Sequence, residues 1–323
     1  MQCIARVPLS SQGSMTLISK NIKAFINGGE IFHVRSRLNV KETSILVGMK
    51  SDENNSVNWY VLMKKFCNDE YLLRRVPFPP ISGKDALIAA GNRVLVLGDS
   101  GFFYVEGGSY KKKVLSKTKA IHYDPITAVI DDKVYVFGGC SSEDALNYVE
   151  FLYLSTNEWE TIPIPEQDRE LISPNSATVV WNGLIHFLGG TKCVIFDPET
   201  GKLERKDQTS MSERMYLTSC VIINTIFTVG WNSKIEYFDP ESRAWRVVRG
   251  IESLPEFDVF STALFNFNGK LMVLHKKRPE EIWFTLIILD KQGLDMWGWV
   301  ESCNCGLILH KPAEILQLVS LEI

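Results

Sequence analysis

Residues 126–139 read ITAVIDDKVYVFGG, and residues 177–190 repeat the same design as ATVVWNGLIHFLGG. In each stretch an apolar run is followed by a polar dipeptide, Asp131-Asp132 or Asn182-Gly183, a second apolar run and two glycines. Asp, Asn and Gly tolerate the positive φ angles of a two-residue hairpin turn, and the flanking Val, Ile and Phe favour strands. Each stretch therefore predicts a β-hairpin that ends in a sharp turn.

The same hairpin recurs along the chain. Further copies read LIAAGNRVLVLGD from Leu87, SCVIINTIFTVGW from Ser219 and STALFNFNGKLMVLHK from Ser261. Their predicted turn dipeptides are Gly91-Asn92, Asn224-Thr225 and Asn268-Gly269. Some of the runs are apolar throughout, which suits strands that are buried on both faces.

A second hairpin follows most of the first ones. It reads YLSTNEWE from Tyr153, FDPETGKLE from Phe196, FDPESRAWR from Phe238 and LDKQGLDMW from Leu289. Two hairpins give four strands in each repeat, and the repeat is about 40–50 residues long. Four-stranded units of this length are typical of β-propeller blades.

The two ends of the chain complete the ring. SILVGM from Ser44 and NWYVLM from Asn58 predict half a blade, and EILQLVSLEI from Glu314 has no local partner. A propeller must close its ring or leave strand edges exposed. The sequence therefore predicts an all-β, six-bladed propeller over residues 41–323, with blade 1 closed by the C-terminal strand 314–323.

Composition narrows the class of protein. Hydrophobic residues make up 45% of the 323 residues, charged residues make up 23%, and the net charge is −3. This charge balance argues against a nucleic-acid binder, which needs a basic surface, and against a membrane-surface protein. No secretory signal and no apolar run of about 18 residues is visible. We expect a cytoplasmic or nuclear protein.

The seven cysteines have no disulfide or zinc-site spacing. They are Cys3, Cys67, Cys140, Cys193, Cys220, Cys303 and Cys305. An odd number without Cys-x-x-Cys pairs predicts reduced thiols, mostly buried, in a structural role.

Residues 1–40 do not follow the blade pattern. From Ser14 to Ile26 the apolar residues recur at helical spacing, with Ser14 as a plausible N-cap and Gly28-Gly29 as the stop. An amphipathic helix of this length must dock on something to be stable.

The blades resemble kelch repeats. The Gly-His and Trp-Asp dipeptides of WD-type repeats do not occur, whereas glycine doublets with a downstream aromatic residue do. In the kelch family the glycines allow a sharp turn, and the aromatic residue of the fourth strand packs between blades. The residues that match these structural positions are Gly98, Gly138, Gly139, Gly189, Gly190, Gly230, Trp159, Trp245 and Trp297.

The whole chain is similar to the plant F-box/kelch-repeat family. CIARVP, LISKNIKAFI, IFHVRSRLNVKETSILVGM, WYVL and WGWVE carry this resemblance. Matching N-terminal positions are Cys3, Ala5, Arg6, Val7, Pro8, Leu17, Ser19, Lys20, Phe25, Ile26, Arg35, Ser36, Leu38, Glu42 and Thr43. The resemblance implies a substrate-recognition subunit of a cullin–RING ubiquitin ligase.

The F-box pattern is incomplete in this sequence. The family's Leu-Pro and first apolar helix precede the Cys3 equivalent, and Ser10 to Gly13 replace the usual aromatic-Pro turn. A truncated F-box over residues 1–40 is the expectation, although a start codon assigned too far downstream would give the same sequence. The adaptor-binding residues implied by the resemblance are Ile4, Val7, Pro8, Leu17, Ile18 and Ile22. A stand-alone kelch module without a ligase partner is the alternative.

Sequence motifs of catalysis are missing. The five histidines have no metal-ligand spacing, and His186 sits between apolar residues of a predicted strand. Neither a nucleophile elbow, a P-loop nor a dinucleotide fingerprint occurs. We expect no enzymatic activity, no metal and no cofactor; a kelch-fold enzyme is a third alternative.

Recognition in a propeller is carried by loops, so we expect a target protein to bind there. The loops between second and third strands, and those between blades, form one face. Candidate residues on that face are Arg169, Arg214, Arg249, Lys276 and Lys277. Lys111-Lys112-Lys113 is the densest basic run, and a solvated loop is its simplest interpretation.

Overall fold

The fold is known from a computed structural model. It describes residues 2–8, 11–12, 15–27, 30–40, 42–51, 57–64, 70–82, 84–107, 110–116, 118, 122, 125–139, 148–172, 177–188, 193–206, 218–311 and 313–322. The described part of the chain is an all-β propeller of six antiparallel four-stranded sheets, preceded by short helices. The six-bladed fold predicted from the sequence is confirmed.

Blade 1 is built from both ends of the propeller sequence. Its strands are β1 (Thr43–Ser51), β2 (Val57–Lys64), β3 (Tyr71–Val76) and β24 (Ala313–Glu322). The strand order is β24-β1-β2-β3, and Thr43 pairs with Glu322 at one end of the ladder. The C-terminal strand thus lies beside the first strand of the propeller.

The remaining blades follow the chain without crossovers. Blade 2 contains β4 (Ala86–Ala90), β5 (Arg93–Gly98), β6 (Gly101–Glu106) and β7 (Lys112–Val114), and blade 3 contains β8 (Ile126–Ile130), β9 (Lys133–Phe137), β10 (Tyr148–Tyr153) and β11 (Glu158–Pro163). Blade 4 contains β12 (Ala177–Trp181), β13 (Leu184–Leu188), β14 (Cys193–Asp197) and β15 (Lys202–Lys206). Blade 5 contains β16 (Ser219–Ile222), β17 (Thr225–Val229), β18 (Ile235–Asp239) and β19 (Ala244–Val247). Blade 6 contains β20 (Ala263–Phe267), β21 (Lys270–Arg278), β22 (Glu281–Gln292) and β23 (Asp295–Ile308).

The first strand of each blade lies at the centre of the ring. Strands β4, β8, β12, β16, β20 and β24 each contact the corresponding strand of the next blade. Because β20 contacts β24 and β24 contacts β4, the circle of inner strands is closed. Strand β24 therefore serves as the inner strand of blade 1.

The hydrophobic core lies between the blades. Among the described residues, one buried apolar cluster occupies each of the six junctions between neighbouring blades. Between blades 3 and 4, for example, Phe137 of β9 meets Phe187 of β13 edge-on, with ring centroids 4.9 Å apart. Burying such faces on both sides of every sheet explains why the strands read as nearly continuous apolar runs.

Two local sequence expectations are wrong. The turn of blade 5 is formed by Ile223 and Asn224, both at positive φ, and not by Asn224-Thr225. The basic run was interpreted as a loop, but Lys112 and Lys113 lie in the outer strand β7, where the Lys112 ammonium sits 3.8 Å from the Phe103 ring centre. The Lys112 ammonium thus contacts an aromatic ring while the side chain stays exposed to solvent.

The cysteine expectation is also partly wrong. Of the four cysteines whose side chains the structure describes, Cys3 and Cys303 are exposed, and Cys220 and Cys305 are half-buried. All four are free thiols, as expected from their spacing. Burial raises the pKa of both the Cys220 and Cys305 thiols, so these two remain protonated near neutral pH.

Short helices precede blade 1. Within the described residues they are α1 (Gln2–Ala5), α2 (Lys20–Asn27) and α3 (Glu30–Arg37), and none is long and apolar enough to span a membrane. The hydroxyl of Ser19 accepts the Ile22 N–H at 3.1 Å, so the N-cap of α2 is Ser19 and not Ser14. A small core of Ala5, Phe25 and Ile31 holds the helices together.

Candidate functional site

The two faces of the propeller differ in the length of their connections. Two-residue turns such as 131–132, 182–183 and 268–269 join the first and second strands on one face, which we call the turn face. Long connections such as 164–176 and 248–262 lead from one blade to the next on the opposite face, the loop face. Since loops carry recognition while strands form the scaffold, the loop face is the first place to look for a site.

Two large aromatic side chains project from the loop face. Trp231 lies in the connection between β17 and β18 and is 54% exposed, and Phe260 lies just before β20 and is 68% exposed. Their rings are 6.1 Å apart and nearly perpendicular. We call Trp231 and Phe260 the aromatic patch. Paired, exposed aromatic side chains are characteristic of the anchor residues of protein interfaces.

The segment that carries Trp231 is rigid. The Asn232 side-chain amide donates to the buried carboxylate of Glu236 at 2.9 Å, while its carbonyl accepts the Lys234 N–H at 3.0 Å. Gly230 faces the same carboxylate, and a Cβ atom there would lie 2.6 Å from the Glu236 carboxyl carbon. Glycine is therefore required beside Glu236, and the turn presents Trp231 to solvent.

The segment that carries Phe260 is held just as firmly. The carboxylate of Asp258 accepts the Phe260 N–H at 3.1 Å and the Ser261 hydroxyl at 2.7 Å. The N–H of Phe257 donates to the carbonyl oxygen of Ser233 at 3.0 Å, which joins this loop to the one that carries Trp231. Because both loops are fixed before any partner arrives, less conformational entropy is lost on binding.

A buried histidine packs against the loop that carries Phe260. The ring of His275 at the loop-face end of β21 packs edge-on against buried Phe257, with centroids 5.1 Å apart. Its Nε2 atom lies 3.2 Å from the hydroxyl of Thr285. Burial lowers the pKa of His275 to about 4, so the ring is neutral at neutral pH. His275 therefore behaves as a packing residue at that pH.

The predicted target-face residues lie in different settings. Lys276 and Lys277 belong to strand β21, beside the loop face, and the Lys277 ammonium lies 4.4 Å from the Trp283 ring centre. Arg249 lies at the outer rim, where its main chain bridges Trp297 of β23 and its guanidinium pairs with Asp295 at 3.2 Å.

The two other predicted arginines are not defined at side-chain level. Arg169 belongs to a 3₁₀ helix, Glu166–Leu171, whose backbone is described, but its side chain lies outside the described part. Arg214 lies outside the described residues altogether. Both remain predictions.

The glycines singled out in the sequence lie at chain reversals. Gly138 and Gly139 adopt φ angles of 62° and 71°, which favour glycine, at the end of β9. Gly98 approaches Asp85 so closely that a Cβ atom would lie 2.6 Å from its carboxylate. Gly189 and Gly190 lie outside the described residues.

The three predicted tryptophans lie at junctions between blades. The indole N–H of Trp159 donates to the carbonyl of Ser116, beyond the last strand of blade 2, at 3.0 Å. Trp245 packs against the cluster between blades 4 and 5, and Trp297 lies beside the chain that leaves blade 5. These side chains face neighbouring blades, whereas Trp231 faces solvent.

A histidine–glutamate pair is buried beside the Gly138 turn. His122 Nε2 lies 2.5 Å from Glu150 Oε2, and its Nδ1–H donates to the carbonyl of Gly138 at 2.7 Å. Both side chains are almost completely buried, so the pair fixes the Gly138 turn and is closed to a substrate. Within the described ranges, no three His, Cys, Asp or Glu side chains are grouped as metal ligands.

A second exposed surface belongs to the N-terminal helices. Leu17 is 88% exposed and Ile18 is 68% exposed, immediately before α2. Of the other predicted adaptor contacts, Ile4, Val7 and Ile22 are half-buried and Pro8 is exposed. The helices join the propeller at the turn face, where the Thr43 hydroxyl donates to Asn268 Oδ1 at 2.6 Å.

The sequence did not single out the aromatic patch. Gly230 matches a kelch-type glycine, and Trp231 stands where blade 3 has the second glycine, Gly139. This difference between blades was the available signal, because the geometry of the turn gives no reason for a tryptophan in place of a glycine. Phe260 had no such signal, because its exposure depends on how the loop before β20 folds.

The chain is similar to a known protein family, to plant proteins and to a solved structure. The family described as FKB95, Kelch-repeats domain, matches residues 54–307. A kelch repeat-containing protein of Arabidopsis thaliana is 26% identical over 94% of this chain and 80% of its own length. A putative F-box/kelch-repeat protein of the same plant is 27% identical over all of this chain and 90% of its own length. The solved structure of YjhT shares the fold, with a TM-score of 0.52 at 10% identity, over 79% of this chain and 97% of that one.

Proposed function

Because the chain belongs to the FKB95 family of kelch-repeat proteins, we propose that it binds a target protein through the loop face of its propeller. The observation that carries this proposal is the aromatic patch, in which two large side chains are held exposed by rigid loops. Aromatic residues that are paired and held exposed in fixed loops are a common feature of protein-binding surfaces. Their arrangement supports protein binding over chemistry.

We further propose that the chain recruits its target to an SCF-type, cullin–RING ubiquitin ligase. Relatives named F-box/kelch-repeat proteins and the resemblance of the N-terminal helices support this role. Leu17 and Ile18 would contribute apolar contacts to a Skp-type adaptor. The helices join the propeller at the turn face, so the target on the loop face would not compete with the adaptor.

In that role the chain would position the target protein and would not itself catalyse a reaction. A target held on the propeller would be kept near a ubiquitin-charged enzyme, and its effective concentration there would rise. No side chain of the chain needs to transfer a proton or form a covalent bond. A role in positioning agrees with the exposure of the aromatic patch and with the burial of the His122–Glu150 pair.

One observation favours a stand-alone binding module. Arg35 of α3 is buried and pairs with Glu42 at 2.9 Å, immediately before β1. The helices are thus attached to blade 1 by the chain itself and could act as a cap on the propeller. In this second candidate function the loop face still binds a target, but no adaptor is recruited.

Co-purification with a Skp-type adaptor separates the two candidates. We expect the full chain, co-expressed with the adaptor, to elute with it as one complex in size-exclusion chromatography. Leu17→Asp should weaken that complex by about tenfold or more, since a charge replaces an exposed apolar contact. Ile308→Asp, at a position 71% exposed in the outer strand of blade 6, is the matched control and should leave the complex unchanged. A folded chain that elutes without the adaptor would overturn the ligase role.

Target binding is tested separately by proximity labelling in plant cells. The wild-type chain is compared with the Trp231→Ala, Phe260→Ala double variant and with Trp299→Ala, a tryptophan 43% exposed on the outer strand of blade 6. The double variant should lose the enriched proteins that Trp299→Ala retains. Identical labelling by all three chains would overturn the assignment of the loop face.

A further inference from the structure

The loop beside the aromatic patch carries an excess of exposed carboxylates. Glu252, Glu256 and Asp258 all lie between blade 5 and Phe260, and all three are exposed. Glu252 accepts the Gly250 N–H at 2.9 Å, which lowers the pKa of its carboxyl group and keeps it ionised. The aromatic patch is therefore flanked by negative charge on its Phe260 side.

Some of the neighbouring positive charges are engaged elsewhere, whereas Lys234 and Lys276 have no ion-pair partner among the described residues. Lys234 and Arg249 lie near Glu252, and Arg249 pairs with Asp295. At the adjacent turn of blade 6, Lys277 lies on Trp283 and Arg278 pairs with Glu281 at 3.4 Å. Glu256 has no ion-pair partner within the described ranges. Its charge is left for a ligand from solution.

We infer that the aromatic patch binds a lysine- or arginine-containing segment of the target, with a cationic side chain against Trp231 and its charge opposite Glu256. The inference rests on the proposed binding at the loop face and specifies the chemistry of the partner. Tryptophan is the aromatic side chain that attracts cations most strongly, and an adjacent carboxylate adds charge complementarity. Phe260, set nearly perpendicular to Trp231, would bound the site and contact the aliphatic stem of the bound side chain.

Charge also argues against two other kinds of segment. An acidic segment would bring its carboxylates toward Glu256 and Asp258, and repulsion between like charges would weaken the complex. A purely apolar segment would cover the rings but leave the carboxylates unpaired at its border. A basic segment can contact the aromatic rings and pair with the carboxylates at the same time. Arginine suits this site because its planar guanidinium stacks on the ring.

The probes for the test are three fluorescein-labelled dodecapeptides of alternating sequence: Arg-Gly, Glu-Gly and Ser-Gly. Fluorescence anisotropy with the full chain should show binding of the Arg-Gly peptide only. Trp231→Ala and Glu256→Lys should each weaken that binding by about tenfold, whereas Trp231→Phe should retain part of it. Trp299→Ala, which removes an exposed tryptophan from the outer strand of blade 6, is the matched control and should leave binding unchanged.

The outcomes separate this inference from the proposed function. If Trp231→Ala changes nothing, or if the Glu-Gly peptide binds as well as the Arg-Gly peptide, the inference is overturned. The proximity labelling described above then still reports whether the loop face binds a target of another chemistry. If Arg-Gly binding survives Glu256→Lys but falls with salt, general attraction explains it, and the specific site is rejected. Circular dichroism of each variant confirms that the comparison is between folded proteins.

Discussion

The buried guanidinium of Arg35 in α3 lies 2.9 Å from the carboxylate of Glu42, the residue directly before the first strand of the propeller. The same side chain donates to the carbonyl oxygens of Ala5 and Val7, at 3.0 Å each. One planar fork therefore joins the beginning of the chain, the last helix and blade 1. Lysine could satisfy only part of this arrangement, because its single ammonium lacks the fork geometry.

Arg35→Lys should loosen the N-terminal helices without unfolding the propeller. Lysine keeps the positive charge but cannot reach all three acceptors, and each lost hydrogen bond to a charged group costs about 1.5–3 kcal/mol. We expect amide hydrogen exchange in α1–α3 to become much faster, while strands of blades 3 and 4 keep their protection. Arg37→Lys, at an exposed position of the same helix, is the control. Uniformly faster exchange across all blades would contradict a role confined to the helices.

Gly230→Ala should displace the turn that holds Trp231 in the aromatic patch. The added Cβ would lie 2.6 Å from the carboxyl carbon of Glu236, so the turn or the buried glutamate must move, at about 1–3 kcal/mol. We expect a lower midpoint of urea unfolding and weaker target binding together. Gly183→Asn, at a positive-φ turn with open space around it, should change neither by much. Unaltered binding in a destabilised Gly230→Ala protein would show that Trp231 does not depend on this turn.

His275 should make stability depend on pH in an acidic window. The folded chain lowers the pKa of this ring from 6.5 to about 4, so the unfolded chain binds the proton more readily between those values. The contribution is complete above about pH 6.5 and is lost as pH falls toward 4, with a slope of up to about 1.4 kcal/mol per pH unit. Unfolding free energies at several pH values should show this slope reduced in His275→Gln. A slope that the substitution leaves unchanged would mean that other groups carry it.

Trp159 should stabilise the junction between blades 2 and 3 in two separable ways. Its ring contacts Phe102 edge-on, with centroids 6.5 Å apart, and its N–H donates to Ser116 O. Trp159→Phe removes the hydrogen bond and the outer part of the ring and should cost about 1–2 kcal/mol, whereas Trp159→Ala removes the remaining packing as well and should cost about 3 kcal/mol or more. Chemical denaturation measures both values. Equal costs for the two variants would show that the ring itself contributes little.

The fold was predictable because its signals repeat. A pattern such as 126–139, repeated several times, identifies the blade hairpins, and the kelch-type glycines at 138 and 139 identify the turn geometry. Strands outside the pattern were missed: β3, β6 and β7 do not repeat the order of aromatic residue or leucine, short polar turn and tryptophan or leucine seen in the other second hairpins, although β6 itself reads GFFYVE. Their pairing is decided by neighbouring strands, which a single sequence does not display.

The binding surface was less predictable than the fold. Candidate arginines were chosen by their position in loops, yet Arg249 is paired with Asp295 at the outer rim. Trp231 and Phe260 come from segments about 30 residues apart and meet because Phe257 bonds to Ser233. Such a meeting depends on tertiary hydrogen bonds between loops, whose conformation no local pattern encodes.

The pairing of β24 with β1 has a consequence for synthesis of the protein. Residues 313–322 leave the ribosome after all the other strands of the propeller, so the first blade stays incomplete until they have been made. Until then the growing chain presents an unsatisfied strand edge at β1, together with apolar surface that Val319 and Leu321 later cover. Exposed edges of this kind promote association between nascent chains. Ring assembly therefore waits for β24, and chaperone protection of this protein would matter most before that strand emerges.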